Sequence, residues 1–267
     1  MKPSGDIVQI GDNDSGRFIK LFPTFNYKPY LDVDSQYNSQ DEMIKKNFFW
    51  DENLLDYQQL VAAISAILPN KSFVEFQNAG LEFEFIKKLS KGNYFNLGGS
   101  NISDEVTVKN SDEVLNKIIS NSYSYEFKVP YLQGNLLEKL NFFSYPDFGI
   151  YIFKTTNFFL SIRCGAIGQN GNGGHCHNDQ LSIELEIDGE GIYVDPGSYI
   201  YTPFPSIRNL YRSDEAHYSF SSPIKQSIDI NQGLFEVNSD PNARCLLFKK
   251  NSFAGIHEGF GVKVVRT

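Results

Sequence analysis

The rhythm of apolar and polar positions changes along this chain. Leu54 to Leu68 carries apolar residues at Leu54, Leu55, Tyr57, Leu60, Val61, Ala63, Ile64 and Leu68. That spacing predicts a helix with a broad buried face. Ala79 to Leu89 and Asp112 to Ile119 are shorter helical candidates. Ser111 stands before Asp112 and Glu113 as an N-cap with acids in the first turn. Asn- and Ser-rich connectors lie between them, and Lys91-Gly92-Asn93 and Gly98-Gly99-Ser100-Asn101 read as turns. From about Asn141 the texture changes to β-rich runs. Gly149 to Lys154 and Asn157 to Arg163 predict a hairpin turning at Thr155-Thr156. Leu181 to Ile187 is apolar at odd positions and polar at even ones, the pattern of a half-buried strand. Asp188-Gly189 turns it into Gly191 to Asp195. Further strands are expected at His217 to Ser221, Gln226 to Ile230, Cys245 to Lys249 and Gly261 to Val265. The sum is an α+β chain, helical and irregular first, with antiparallel hairpins of a β-sandwich afterwards.

Composition narrows the class. Of 267 residues, 41% are hydrophobic and 21% charged, which suits a globular fold and argues against disorder. The 23 Phe and 15 Tyr supply ample core material and suit a sugar-facing surface. Net charge is −8 and no basic stripe is visible, so no nucleic-acid partner is expected. An acidic ligand would need a local cationic site. Three cysteines, Cys164, Cys176 and Cys245, are too few and scattered for a disulfide framework. No apolar run is long enough for a transmembrane segment, and the first residues show no signal peptide. Both ends read as cut from something longer.

The candidate chemistry lies in the second half, which holds all four histidines: His175, His177, His217 and His257. If His175 to His177 is extended, both imidazoles point one way and Cys176 the other. Asp195 ends the next predicted strand, in an Asp195-Pro196-Gly197 turn, and His217 follows a loop. Two of these histidines with Asp195 would make a mixed nitrogen and oxygen set suited to Zn²⁺, with room for a fourth ligand. On spacing alone the more usual reading of such residues is hydrogen-bonded turn histidines, with Asp195 capping a turn. Gly11-Asp12-Asn13-Asp14-Ser15-Gly16-Arg17 fails the EF-hand register and reads as an acidic turn, with Arg17 paired to Asp12 or Asp14. Asn170-Gly171-Asn172-Gly173-Gly174 lacks the Lys-Ser/Thr of a phosphate loop. Arg208, Asn209 and Arg212 form a cationic cluster that could grip a carboxylate or serve in salt bridges.

These blocks carry a resemblance. Gly174-His175-Cys176-His177-Asn178-Asp179-Gln180-Leu181-Ser182, Val194-Asp195-Pro196-Gly197-Ser198-Tyr199, Arg208-Asn209-Leu210-Tyr211-Arg212-Ser213 and Ala216-His217 resemble, in order, the motifs of the heparinase II/III family of polysaccharide lyases. The turn at Gly11 to Arg17 and His257-Glu258-Gly259-Phe260 are similar to two further family blocks. The resemblance implies the end of an (α/α) toroid over residues 1–135 and an incomplete antiparallel β-sandwich over 136–267. It implies β-elimination on a uronic-acid-containing, acidic polysaccharide in the periplasm or cell envelope. His175 would be the catalytic or carboxylate-neutralising residue. His177, Asp195 and His217 would hold a structural zinc, and Arg208, Asn209 and Tyr211 would bind substrate. The family's catalytic Tyr and Asn come from toroid helices; Tyr27 and Tyr30 are the candidates here, but the true residues are expected upstream of Met1. Little activity is therefore expected of the chain alone. The other readings are a non-catalytic carbohydrate-binding or envelope assembly protein, and a metal-dependent hydrolase.

Overall fold

The structure is a computed structural model. It describes residues 1–12, 21, 25–29, 48–68, 81–95, 105–120, 123–124, 126, 136–168, 171–199, 202–237 and 239–267. The chain divides into two compact units, one of Met1–Asn13 with Ser100–Thr267 and one of Asp14–Gly99. The first twelve residues thus fold with the β region rather than with the helical stretch that follows them.

In the smaller unit, β1 (Phe25–Pro29) pairs antiparallel with β2 (Phe48–Glu52). Helices α1 (Gln58–Ser65) and α2 (Glu82–Leu89) pack on one another. Ala62 and Ala63 are the closed positions of α1, where small side chains permit close approach. The α1 helix is shorter than the apolar spacing predicts at both ends: residues 54–57 precede it as a turn and bridge, and residues 66–68 follow it as a turn and bend. The turn expected at residues 98–101 lies outside the described residues, as does Tyr30; of Tyr27 only the backbone, within β1, is described.

The larger unit is built on two antiparallel sheets. One has the order β4-β5-β6-β7-β8: Asn141–Tyr145, Ile150–Lys154, Phe158–Arg163, Ile183–Ile187 and Glu190–Tyr193. The other has the order β11-β10-β9-β3: Val264–Arg266, Ser252–His257, Arg244–Lys249 and Val106–Thr107. Tyr151, Phe153, Ile162 and Leu181 from the first side meet Phe248 and Phe253 from the second in one core cluster. Phe248 is fully enclosed, with the rings of Phe142, Tyr151 and Phe153 at 5.7, 5.2 and 4.9 Å. Offset and edge contacts of this kind favour one sheet alignment, and truncating such a Phe typically costs about 3–5 kcal/mol. Helix α3 (Ser111–Ile119) lays Leu115 and Ile118 against Leu246, Ala254 and Ile256. Its N-cap is Asn110, in the left-handed region at φ 62°, and Ser111 is already helical. The expected Ser111 cap is therefore one residue late.

Three strand expectations need correction. Leu181 to Ile187 alternates as expected, yet its polar face is not open to water. Glu184 and Glu186 are both buried, because residues 1–9 cross that face. Lys2 pairs with Glu184, the Gln9 N–H donates to Glu184 at 2.7 Å, and the Ser4 N–H and hydroxyl donate to Glu186 at 2.6 and 2.8 Å. Neither His217 to Ser221 nor Gln226 to Ile230 forms a strand. In 217–221 the His217 and Ser219 N–H groups bond locally to the Asp214 and His217 carbonyls, and in 226–230 backbone groups bond to side chains. Asp214 accepts from the Ser227 N–H at 2.6 Å, and Asn178 donates to the Ile228 carbonyl at 3.0 Å.

Candidate functional site

His175 and His177 do meet at one point, but not by lying on a strand. Residues 174–175 form a turn, and His175 takes φ 63°. What the two rings converge on is Asp12. Its Oδ2 receives His175 Nδ1 at 2.8 Å and its Oδ1 receives His177 Nε2 at 3.0 Å. Arg208 completes the cluster, donating Nη1 to Oδ1 at 2.7 Å and Nη2 to Oδ2 at 2.6 Å. The Asp12 N–H also donates to the His175 carbonyl at 3.0 Å.

Gly11 makes that approach possible. It sits at φ +58°, and a Cβ there would lie 2.4 Å from the His175 carbonyl oxygen. Only glycine adopts this conformation without steric cost and leaves the space. Burial opposes ionisation of Asp12, but the hydrogen bonds from His177, Arg208 and His175 outweigh it. The carboxyl therefore lies well below the usual range. The sequence reads Asp12 as part of an acidic turn and of a family-like block, and not as the partner of the histidines. Of the proposed turn pairing, Asp14 and Arg17 lie outside the described residues.

Helix α4 (Pro205–Arg212) supplies the cationic cluster, inverted from the usual arrangement. Arg208 and Arg212 are fully buried, while Phe204, Ile207 and Leu210 are exposed. Arg208 also donates to the Leu234 carbonyl and lies 4.6 Å from the Phe235 ring, which in turn packs 5.3 Å from His175. Arg212 bonds the Gly233 carbonyl at 2.8 Å and Asn209 Oδ1 at 3.2 Å. Tyr211 stacks on Tyr199 at 5.2 Å and an interplanar angle of 18°. The two arginines therefore hold loops from behind, and the aromatic pair with Asn209 lies nearer the surface. Beside Phe235 a cleft is lined by Gly171, Asn172, Glu236, Val237, Ser239 and Asp240.

His217 Nδ1 meets Asp195 Oδ2 at 2.8 Å, and Asp195 Oδ1 accepts the Gly197 N–H at 2.9 Å. Burial would lower the His217 pKa, but the Asp195 bond and charge, with Asp179 and Asp214, raise it overall. The His177 and His217 rings stand 5.4 Å apart. Two of their nitrogens, His177 Nδ1 and His217 Nε2, are buried without a hydrogen-bond partner. Orphaned imidazole nitrogens beside a carboxylate match the donor types zinc takes. Among the described residues, no group of three or more His, Cys, Asp or Glu side chains is arranged to hold a metal ion. Cys176 packs against the cluster of Ile167, Ile228 and Val237, and burial pushes its thiol up to about 12. It stays a thiol, where a metal ligand would be a thiolate.

All seven candidate residues, His175, His177, Asp195, Arg208, Asn209, Tyr211 and His217, fall in one stretch of the chain. No curated protein and no solved structure matches the chain. Residues 138–219 match the family model described as heparinase II/III-like, C-terminal, which supports over that segment the resemblance carried by the motifs.

Proposed function

We propose that this protein belongs to the polysaccharide lyases and cleaves a uronate-containing polysaccharide by β-elimination. The observation that carries the reading is the Asp12 cluster. It holds His175, with 42% of its side chain exposed, inside the segment that matches the family model. In the elimination a base takes the C5 proton, and that electron pair forms the C4=C5 bond. The C4–O bond breaks, and an acid protonates the leaving oxygen. His175 is the candidate for the step at C5. Asn209 and Tyr211 are the candidates for holding sugar, with Arg208 acting from behind through Asp12. The reading carries with it the end of a toroid before the sheets and a periplasmic or envelope location, both proposed by analogy with the family.

We also propose zinc at His177, Asp195 and His217. Support comes from the donor types, the orphaned nitrogens and the closeness of the two rings. Zinc there would fix the loops carrying His175, a structural role.

The burial of Arg208 and Arg212 favours a second reading, a carbohydrate-binding protein without catalysis, because both guanidinium groups are enclosed rather than exposed for a substrate carboxylate. The two readings separate on incubation with alginate, heparan sulfate and other uronate polymers. Unsaturated uronate ends that vanish in His175→Ala support the lyase. Binding of a polymer with no new ends supports the binder.

A further inference from the structure

The Asp12 carboxylate decides which nitrogen of each histidine carries hydrogen. An ionised carboxylate only accepts hydrogen bonds. Arg208 donates one N–H to each Asp12 oxygen, the paired geometry of a guanidinium on a carboxylate that has only acceptors to offer. The ring nitrogens that face it are therefore donors: Nδ1 of His175 and Nε2 of His177. In their neutral forms the lone pairs then sit on the opposite nitrogens. For His177 that is Nδ1, the buried atom without a hydrogen-bond partner. For His175 it is Nε2, on a ring that is 42% exposed.

We propose that Asp12 is a positioning residue that locks His175 as its Nδ1–H tautomer and His177 as its Nε2–H tautomer. One carboxylate thus sets two lone pairs, one on each ring. The inference rests on the lyase reading for its consequence. A neutral His175 that carries hydrogen on Nδ1 has an acceptor at Nε2, so it suits proton removal at C5 better than neutralisation of the substrate carboxylate, which needs a donor. It also leaves His177 Nδ1 as a metal donor. After proton transfer the imidazolium would remain hydrogen-bonded to Asp12 through Nδ1.

The anchoring of Asp12 fits such a role. Residues 1–9 are pinned along β7 by Lys2, Ser4 and Gln9, and Gly11 admits the backbone against His175. The carboxylate is held by a strap tied down at several points, not by a loose turn.

The test is long-range proton–nitrogen correlation of the imidazoles in the 267-residue chain, about two units above the ordinary histidine pKa so that free rings are neutral. With four histidines, His175→Gln and His177→Gln assign the signals. The expected result is an Nδ1–H pattern for His175 and an Nε2–H pattern for His177. Asp12→Asn, which keeps the shape but offers one acceptor oxygen, should release at least one ring to a tautomer mixture. An Nε2–H pattern for His175 in the unmodified chain would overturn the proposal, whether or not any variant folds. So would both patterns persisting unchanged in a folded Asp12→Asn. Lyase turnover is scored separately. The stated tautomers without turnover would remove the lyase reading alone, and turnover with the opposite tautomers would remove this inference alone.

Discussion

Asp12 and Arg208, 196 residues apart in sequence, meet through two parallel hydrogen bonds inside the larger unit. Both side chains are fully buried. Removing one member of a buried pair leaves the other charge uncompensated, which typically costs about 3–5 kcal/mol. Arg208→Ala should lose stability on that scale in denaturant unfolding. Arg208→Lys should recover only part of it, since an ammonium cannot make both bonds or stack as well on Phe235. Equal stability of Arg208→Lys and the unmodified protein would show that the paired geometry contributes nothing.

Gly11 and Gly189 allow a matched comparison. Both have positive φ, but a Cβ at Gly11 meets the His175 carbonyl at 2.4 Å while one at Gly189 meets nothing within 4 Å. Gly189→Ala should cost about 1–2 kcal/mol, the left-handed penalty alone. Gly11→Ala should cost clearly more, because the Asp12 segment must also move. Thermal or denaturant unfolding of the two variants side by side decides the order.

His257 is buried, accepts the Gly259 N–H through Nδ1, and has its pKa pushed down to about 4 by burial. The folded value lies below the ordinary 6.5. Its contribution is therefore present above about pH 6.5 and is lost as pH falls toward 4. The window corresponds to about 3 kcal/mol. His257→Phe should flatten this part of the stability curve relative to the unmodified protein. Parallel acid limbs in the two proteins would contradict the assignment.

Glu184 runs in the opposite sense. Burial pushes its carboxyl up to about 7, although Lys2 and the Gln9 N–H pull it down. For a raised acid the stabilising contribution is complete below its ordinary value of 4.5 and fades as pH rises through 7. Carbon-13 titration of this side chain should show a midpoint well above that of exposed glutamates. A midpoint near 4.5 would mean that the strap of residues 1–9 does not seal β7.

Where the fold was legible, short-range chemistry was enough. The β5–β6 hairpin follows from two β-rich apolar runs separated by Thr155-Thr156, and the β7–β8 hairpin from the alternation that ends at Asp188-Gly189. Strand β10 escaped notice because Ala254 and Gly255 dilute its pattern, yet small residues are what its packing needs: a Cβ at Gly255 would meet Phe253, Leu181 and Cys164. The stretch 226–230 looks like a strand because nothing local reveals that the Asp214 and Asn178 side chains will take its backbone groups. The histidine pair was visible as a motif, but its partner was not. Asp12 lies 163 residues from His175, and no periodicity links them. The buried glutamates of β7 follow the same logic, since only the fold brings Lys2 and Ser4 to them.

The most direct test of the lyase reading is the ultraviolet absorbance of unsaturated uronate ends, followed over long incubation with a panel of uronate polymers. The account predicts slow product formation, reduced to background by His175→Ala, since a general base contributes about 10² to 10⁴ in rate. New saturated ends, an undiminished rate in His175→Ala, or no unsaturated product from any uronate polymer would contradict it.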